Sequence, residues 1–123
     1  MISAEDIRIE VEPAYLGQDA QRTRYVFSYT ITILNGGEEP ARLLTRHWII
    51  TDGNGRVEEV FGDGVVGEQP RLRPGEQHRY TSGAIIDTPF GTMQGSYGMV
   101  TDGGQDFKAA IPVFRLQAPG VLH

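Results

Sequence analysis

The chain has 123 residues, a formal net charge of −5 and no cysteine. That length suits one domain and is short for two. The absence of cysteine excludes disulfides and thiolate metal sites, and an acidic balance opposes long-range attraction of nucleic acid. Sixteen glycines and seven prolines predict many turns, and therefore many short strands.

In chain order, Ile7, Ile9 and Val11 alternate with Arg8 and Glu10. This is a half-buried strand, with Pro13 marking its end or an edge position. A stronger strand follows: Tyr25, Phe27, Tyr29, Ile31 and Ile33 alternate with Val26, Ser28, Thr30 and Thr32. These residues are almost all β-branched or aromatic, and the odd positions should face the core. Asn35-Gly36-Gly37 breaks it.

The third strand spans roughly residues 41 to 51. Period two places Leu44, Arg46, Trp48 and Ile50 on one face and Leu43, Thr45, His47 and Ile49 on the other. The Trp48 face is assigned inward because a large indole gains most from burial. Arg46 then also points inward and must reach a carboxylate, carbonyl groups or the sheet edge. Asp52-Gly53-Asn54-Gly55 supplies a turn, and residues 56 to 61 return as a strand. Residues 62 to 75 are the longest irregular stretch and close on Pro74-Gly75, a tight-turn signal.

A strand runs through Tyr80 to Gly83. Ala84 to Gly91 follows as a connection bending at Thr88-Pro89. The last strands run over 93–101 and 105–116, joined by the Asp102-Gly103-Gly104 turn. Pro112 marks an edge or bulge, and 117–123 reads as a flexible tail. No helix, repeat or domain boundary is evident. Seven or eight short strands with these turn spacings predict an all-β, antiparallel sandwich, with a closed barrel as the rival. A buried Trp on the third strand is reminiscent of immunoglobulin-like domains. The turn-then-tyrosine region of Leu72, Pro74, Gly75 and Tyr80 is similar to that of fibronectin type III domains.

For chemistry, Gly62-Asp63-Gly64-Val65-Val66-Gly67 matches the G-x-G-x-x-G spacing that brings backbone amides close to a pyrophosphate. In a dinucleotide fold, that loop opens a helix. Here Glu68-Gln69-Pro70 leads into another turn, so half of the mechanism is missing. The plain reading is a connecting loop. The functional reading is a nest of amides for an anion, assisted by Arg71 or Arg73 and opposed by Asp63 and Glu68. Val65 and Val66, if solvent-facing, would offer apolar contacts to a partner.

Asp52, Asn54 and Asp63 do not make a calcium loop, because Arg56 and Val57 stand where a ligand and a glycine are needed. His47, His78 and His123 have no metal-ligand spacing, and His47 should sit packed or solvated behind Trp48. Glu58 and Glu59 point to opposite faces and cannot work as an acid–base pair. Thr81-Ser82-Gly83 is not a nucleophile elbow. These readings predict no catalytic residues, no metal site and no cofactor.

No apolar run approaches the roughly 18 residues of a membrane span, and the start, Met1 to Asp6, has no signal-peptide pattern. With the missing cysteines, this predicts a cytoplasmic protein without membrane insertion. Exposed edge strands leave room for a homodimer.

Several segments together resemble the ApaG family. They are Leu43 to Asp52, Glu59-Val60, Gly62 to Pro70, Leu72 to Gly75, Tyr80 to Gly83, Thr88 to Gly91 and Ile111 to Phe114. The resemblance covers nearly the whole chain, 1–123, and implies a fibronectin type III-like β-sandwich. It also implies a link to cobalt resistance and magnesium efflux, as for stand-alone bacterial members. The chain starts at its own Met and has no extra domain, so it looks like that type. Related domains in eukaryotic F-box proteins and a polymerase-delta-interacting protein imply protein binding. The family's glycine loop falls on Gly62, Gly64 and Gly67 and implies pyrophosphate or a nucleotide as an alternative ligand. The family brings no catalytic residues. The expectation is a non-catalytic binding module with an unidentified protein partner.

Overall fold

The computed structural model describes residues 2–120. Its strands are β1 (Ile7–Gln18), β2 (Tyr25–Asn35), β3 (Ala41–Asp52), β4 (Val57–Asp63), β5 (Arg71–Leu72), β6 (Gln77–Ile86), β7 (Phe90–Thr101) and β8 (Asp106–Gln117). One antiparallel sheet has the order β1-β2-β6. The other has the order β4-β3-β7-β8, with β5 pairing β3. The two sheets pack face to face as a sandwich, as the alternation predicts; the barrel is excluded because the sheets remain separate.

The core is built by the period-two faces. Phe27, Tyr29, Ile31 and Ile33 are buried from β2, and Met93, Tyr97 and Met99 from β7. Trp48 is 3% exposed. Its indole meets the rings of Tyr29, Tyr97 and Phe114 edge-on or tilted, with centroids 5.2, 6.5 and 5.9 Å away, the geometry that aromatic quadrupoles favour. Across the layers, the buried hydroxyls of Tyr80 and Tyr97 hydrogen-bond each other. Asn35 does more than break β2. Fully buried, its Nδ2 donates to the carbonyls of Glu39 and Leu72 at 2.9 Å, and its Oδ1 accepts from the Gly37 amide.

Three departures from the expected pattern have physical causes. In β3, the pairing with β7 shifts between Leu43 and Thr45, leaving Leu44 as the extra residue of a β-bulge. The bulge inverts the phase, so Ala41 and Leu43 are buried together with Trp48 farther on. Leu43, expected outside, is 0% exposed, while Leu44 is not in the core. Second, β1 continues through Pro13 to Gln18. As an edge strand it needs no amide there; its own bulge falls between Tyr15 and Gly17. Third, β6 runs from Gln77 to Ile86, so Ala84 to Ile86 are strand and the expected connection shrinks. The Thr88 bend holds: its hydroxyl accepts from the Gly53 amide at 2.8 Å and donates to the Phe90 carbonyl at 2.7 Å.

Pro112 lies where β7–β8 pairing slips, on an edge strand. Of the expected tail, Gln117 ends β8 and Ala118 is buried with its amide on the Pro89 carbonyl; residues 121–123 lie outside the described residues. Along one flank β1 packs against β8. Along the other, the edge strands β4 and β6 make at most isolated contacts. That flank is open between the layers.

Candidate functional site

The glycine loop begins where β4 ends. Gly62 is still in the strand, opposite Arg46 of β3. The Gly64 amide then bonds the Leu44 carbonyl at 2.8 Å, and the Gln69 side-chain amide bonds the same carbonyl at 3.0 Å. The bulge at Leu44 therefore anchors both ends of the loop. Between them, Val65 and Glu68 exchange backbone hydrogen bonds of 2.8 and 3.0 Å. The two residues inside, Val66 and Gly67, have φ of +48° and +78°. Positive φ at both central positions is the signature of a type I′ hairpin turn.

Val66 is an unusual occupant of that position. A β-branched side chain at positive φ is strained, and this one is 65% exposed. Val65 beside it is 1% exposed and belongs to the core. Of the two valines considered as contact points, Val66 alone faces solvent.

The loop amides do not converge as six free donors. Those of Gly64 and Val65 are used inside the protein. Those of Val66 and Gly67, at the tip, carry no backbone hydrogen bond outside the strand ladders among the described residues. Gly64 is required twice over: its φ is +65°, and a Cβ there would collide with the Glu68 carbonyl oxygen. The two arginines are engaged elsewhere. Arg71 Nε donates to Asp102 at 3.0 Å, and Arg73 Nε to Glu76 at 3.0 Å. The guanidinium bonds hold the Asp102 and Glu76 carboxyls below their ordinary range. Glu68 has its oxygen 3.5 Å from His78 Nε2 instead.

Arg46 does point inward, as the Trp48 assignment requires, and it finds carbonyls. Its Nη1 donates to Asp63 and Gly64 at 2.9 and 3.0 Å. The guanidinium lies over Gly62, where a Cβ would come within 2.5 Å of its Cζ. One face of this group opens into a cavity of about 380 Å³ on the open flank, lined among others by Tyr29, Trp48, Val66, Tyr80 and Ser82. Burial pushes the Tyr29 hydroxyl up, against the effects of Ser82 and Arg46. The loop was the only part of this site singled out by its motif. The demand for a partner to an inward Arg46 was the signal that leads to the rest.

On the outer face of the second sheet, His47 Nε2 lies 3.0 Å from Glu59 and the imidazole stacks on Phe61 at 4.2 Å. Asp52 Oδ1 accepts from the amides of Asn54 and Arg56, so this acidic turn is a hydrogen-bonded β-turn. Among the described residues, no three His, Asp or Glu side chains are grouped to share a metal ion, and no helix is long and apolar enough to cross a membrane.

Known proteins resemble this chain along nearly its full length. A family model described as the ApaG domain matches residues 16–101. Protein ApaG of Shewanella sp. (strain ANA-3) is 54% identical over 121 residues, covering 97% of this chain and 96% of its own. Protein ApaG of Pseudomonas aeruginosa (strain LESB58) is 55% identical over 119 residues, covering 95% and 94%. The X-ray structure of a structural-genomics target superposes with a TM-score of 0.94 at 53% identity, covering 100% of this chain and 94% of that one. With fold and sequence in agreement, the chain belongs to the ApaG family.

Proposed function

We propose that this chain is a non-catalytic, cytoplasmic binding module that acts through protein–protein contact. Its part in cobalt resistance and magnesium efflux, the roles that come with the family resemblance, is then indirect: it acts on a partner rather than carrying the ion. One observation carries the reading. Val66 is both strained and exposed at the tip of a rigid hairpin. Folding would be better served there by Asn or Gly, and strain kept at an exposed apolar residue points to use in binding. Phe61 on the β4 edge, 70% exposed, is a second exposed apolar residue, on the outer face of the same sheet.

The test is quantitative affinity capture with the wild-type chain and with Val66→Asn. A stoichiometric partner should be retained by the first and lost by the second. Equal capture by both, or no partner at any salt concentration, removes the reading.

A second reading is pyrophosphate or nucleotide binding by the Gly62–Gly67 loop, with Arg71 or Arg73 assisting. The open amides of Val66 and Gly67 favour it. Titration calorimetry with pyrophosphate decides it: no heat, or heat unchanged in Gly64→Val, eliminates it.

A further inference from the structure

Arginines in this protein fall into two groups, and Arg46 belongs to neither. Arg24, Arg56, Arg71, Arg73 and Arg79 each pair with a carboxylate. Arg8, Arg22, Arg42 and Arg115 are exposed to water. Arg46 is half-buried and has no carboxylate partner among the described residues. A guanidinium is always charged and carries five N–H donors. Its Nη1 is occupied by the Asp63 and Gly64 carbonyls. No hydrogen bond is made by Nε or Nη2 among the described residues. Those two nitrogens form the edge that grips a carboxylate or phosphate with two parallel bonds.

The cavity at Arg46 supplies the rest of a site. It holds about 380 Å³, within the size range of small-molecule pockets. Its lining joins the exposed side chain of Val66 to the rims of the otherwise buried Trp48, Tyr29 and Tyr80 and to Ser82. The one carboxylate in the lining, Asp63, is solvent-exposed and makes no ion pair with Arg46. We infer that this inter-sheet cavity binds a small organic anion. A carboxylate or phosphate monoester sits on Arg46 Nε and Nη2, and its short apolar body lies between the exposed Val66 and the rims of Trp48 and the tyrosine rings. The inference does not depend on protein binding. It differs from the loop-amide reading in its donor, a side chain rather than the backbone, and in its need for an apolar body.

Trp48, the only tryptophan, lines the cavity and reports on it directly. Its fluorescence is followed while the full chain is titrated with phenyl phosphate, phenylacetate, inorganic phosphate and pyrophosphate. A saturable change is expected with one or both phenyl compounds, and the stronger of the two identifies the anionic group. Arg46→Lys keeps the charge but loses the two-pronged edge, and should weaken binding ~10-fold or more, the value of a charge-assisted bond. Arg71→Gln and Arg73→Gln should leave it unchanged. Because Arg46 also ties down the loop, a nitrogen–proton NMR titration of the unaltered protein gives a second readout, in which the Arg46 Nε–H resonance shifts with saturation. No saturable change with either phenyl compound overturns the inference. So does inorganic phosphate or pyrophosphate binding as tightly as phenyl phosphate, or a shift centred on Arg71 or Arg73 with Arg46 still.

Discussion

Val66 and Gly64 sit two positions apart at positive φ, yet their substitutions should have opposite signs. At Val66 the side chain opposes the backbone conformation and contributes little burial. Val66→Asn should therefore stabilise the protein by about 1 kcal/mol in urea unfolding, because Asn tolerates the left-handed region. A destabilised variant would show that the valine serves the fold after all. At Gly64 the backbone conformation and the Glu68 carbonyl both exclude a Cβ. Gly64→Ala should cost about 2 kcal/mol or more, and a neutral result in the same assay would contradict the loop geometry described above.

Among the strands, the bulge at Leu44 makes the sharpest prediction. Leu43→Ala empties a fully buried position and should cost about 2–5 kcal/mol. Leu44→Ala, on the half-buried side of the inversion, should cost about 1 kcal/mol or less. Simple alternation would give the reverse order, so one pair of denaturation curves separates them. The same element shows what was legible in the sequence. The strands β2 and β7 followed from unbroken alternation of large apolar side chains. The inward Trp48 and Arg46 followed as well, because a large ring and a charge each demand a particular environment. The Leu43 face was not legible, because a bulge is set by the partner strand and not by the residues that form it. The full length of β6 was hidden by small inward residues, Ser82 and Ala84, whose burial depends on the opposite sheet. The candidate site divides along the same line. Glycine spacing located the loop, but the Leu44 carbonyl, brought in by β3, decides which amides are left to bind anything.

For the molecule as a whole, two titrations bound the stable range. Hydrogen bonds from Arg71, Arg73 and the Arg24 backbone lower the carboxyls of Asp102, Glu76 and Asp19 in the folded chain. Their contribution is present above the ordinary values of 3.8 and 4.5 and is lost as pH falls through the lower folded values. For Asp102 and Glu76 it should be small, since both carboxylates are open to solvent. Burial raises the hydroxyls of Tyr29, Tyr80 and Tyr97 above 10.0. Stability is intact below that value and should fall as pH rises beyond it, with phenolate absorbance appearing together with loss of the fold. Phenolate forming ahead of unfolding would refute this. The unequal flanks predict a gradient in amide exchange. Protons on β4 and β6 should exchange sooner than those on β1 and β8, and equal protection would mean that the open flank is sealed in solution. The Tyr80–Tyr97 hydroxyl pair adds a mechanical consequence. Set beside the cavity and far from the β1–β8 spine, a cross-bolt between facing layers resists both their sliding and their parting. Any guest admitted beside Arg46 would then have to fit the gap as it stands, leaving the registry of the two interiors untouched.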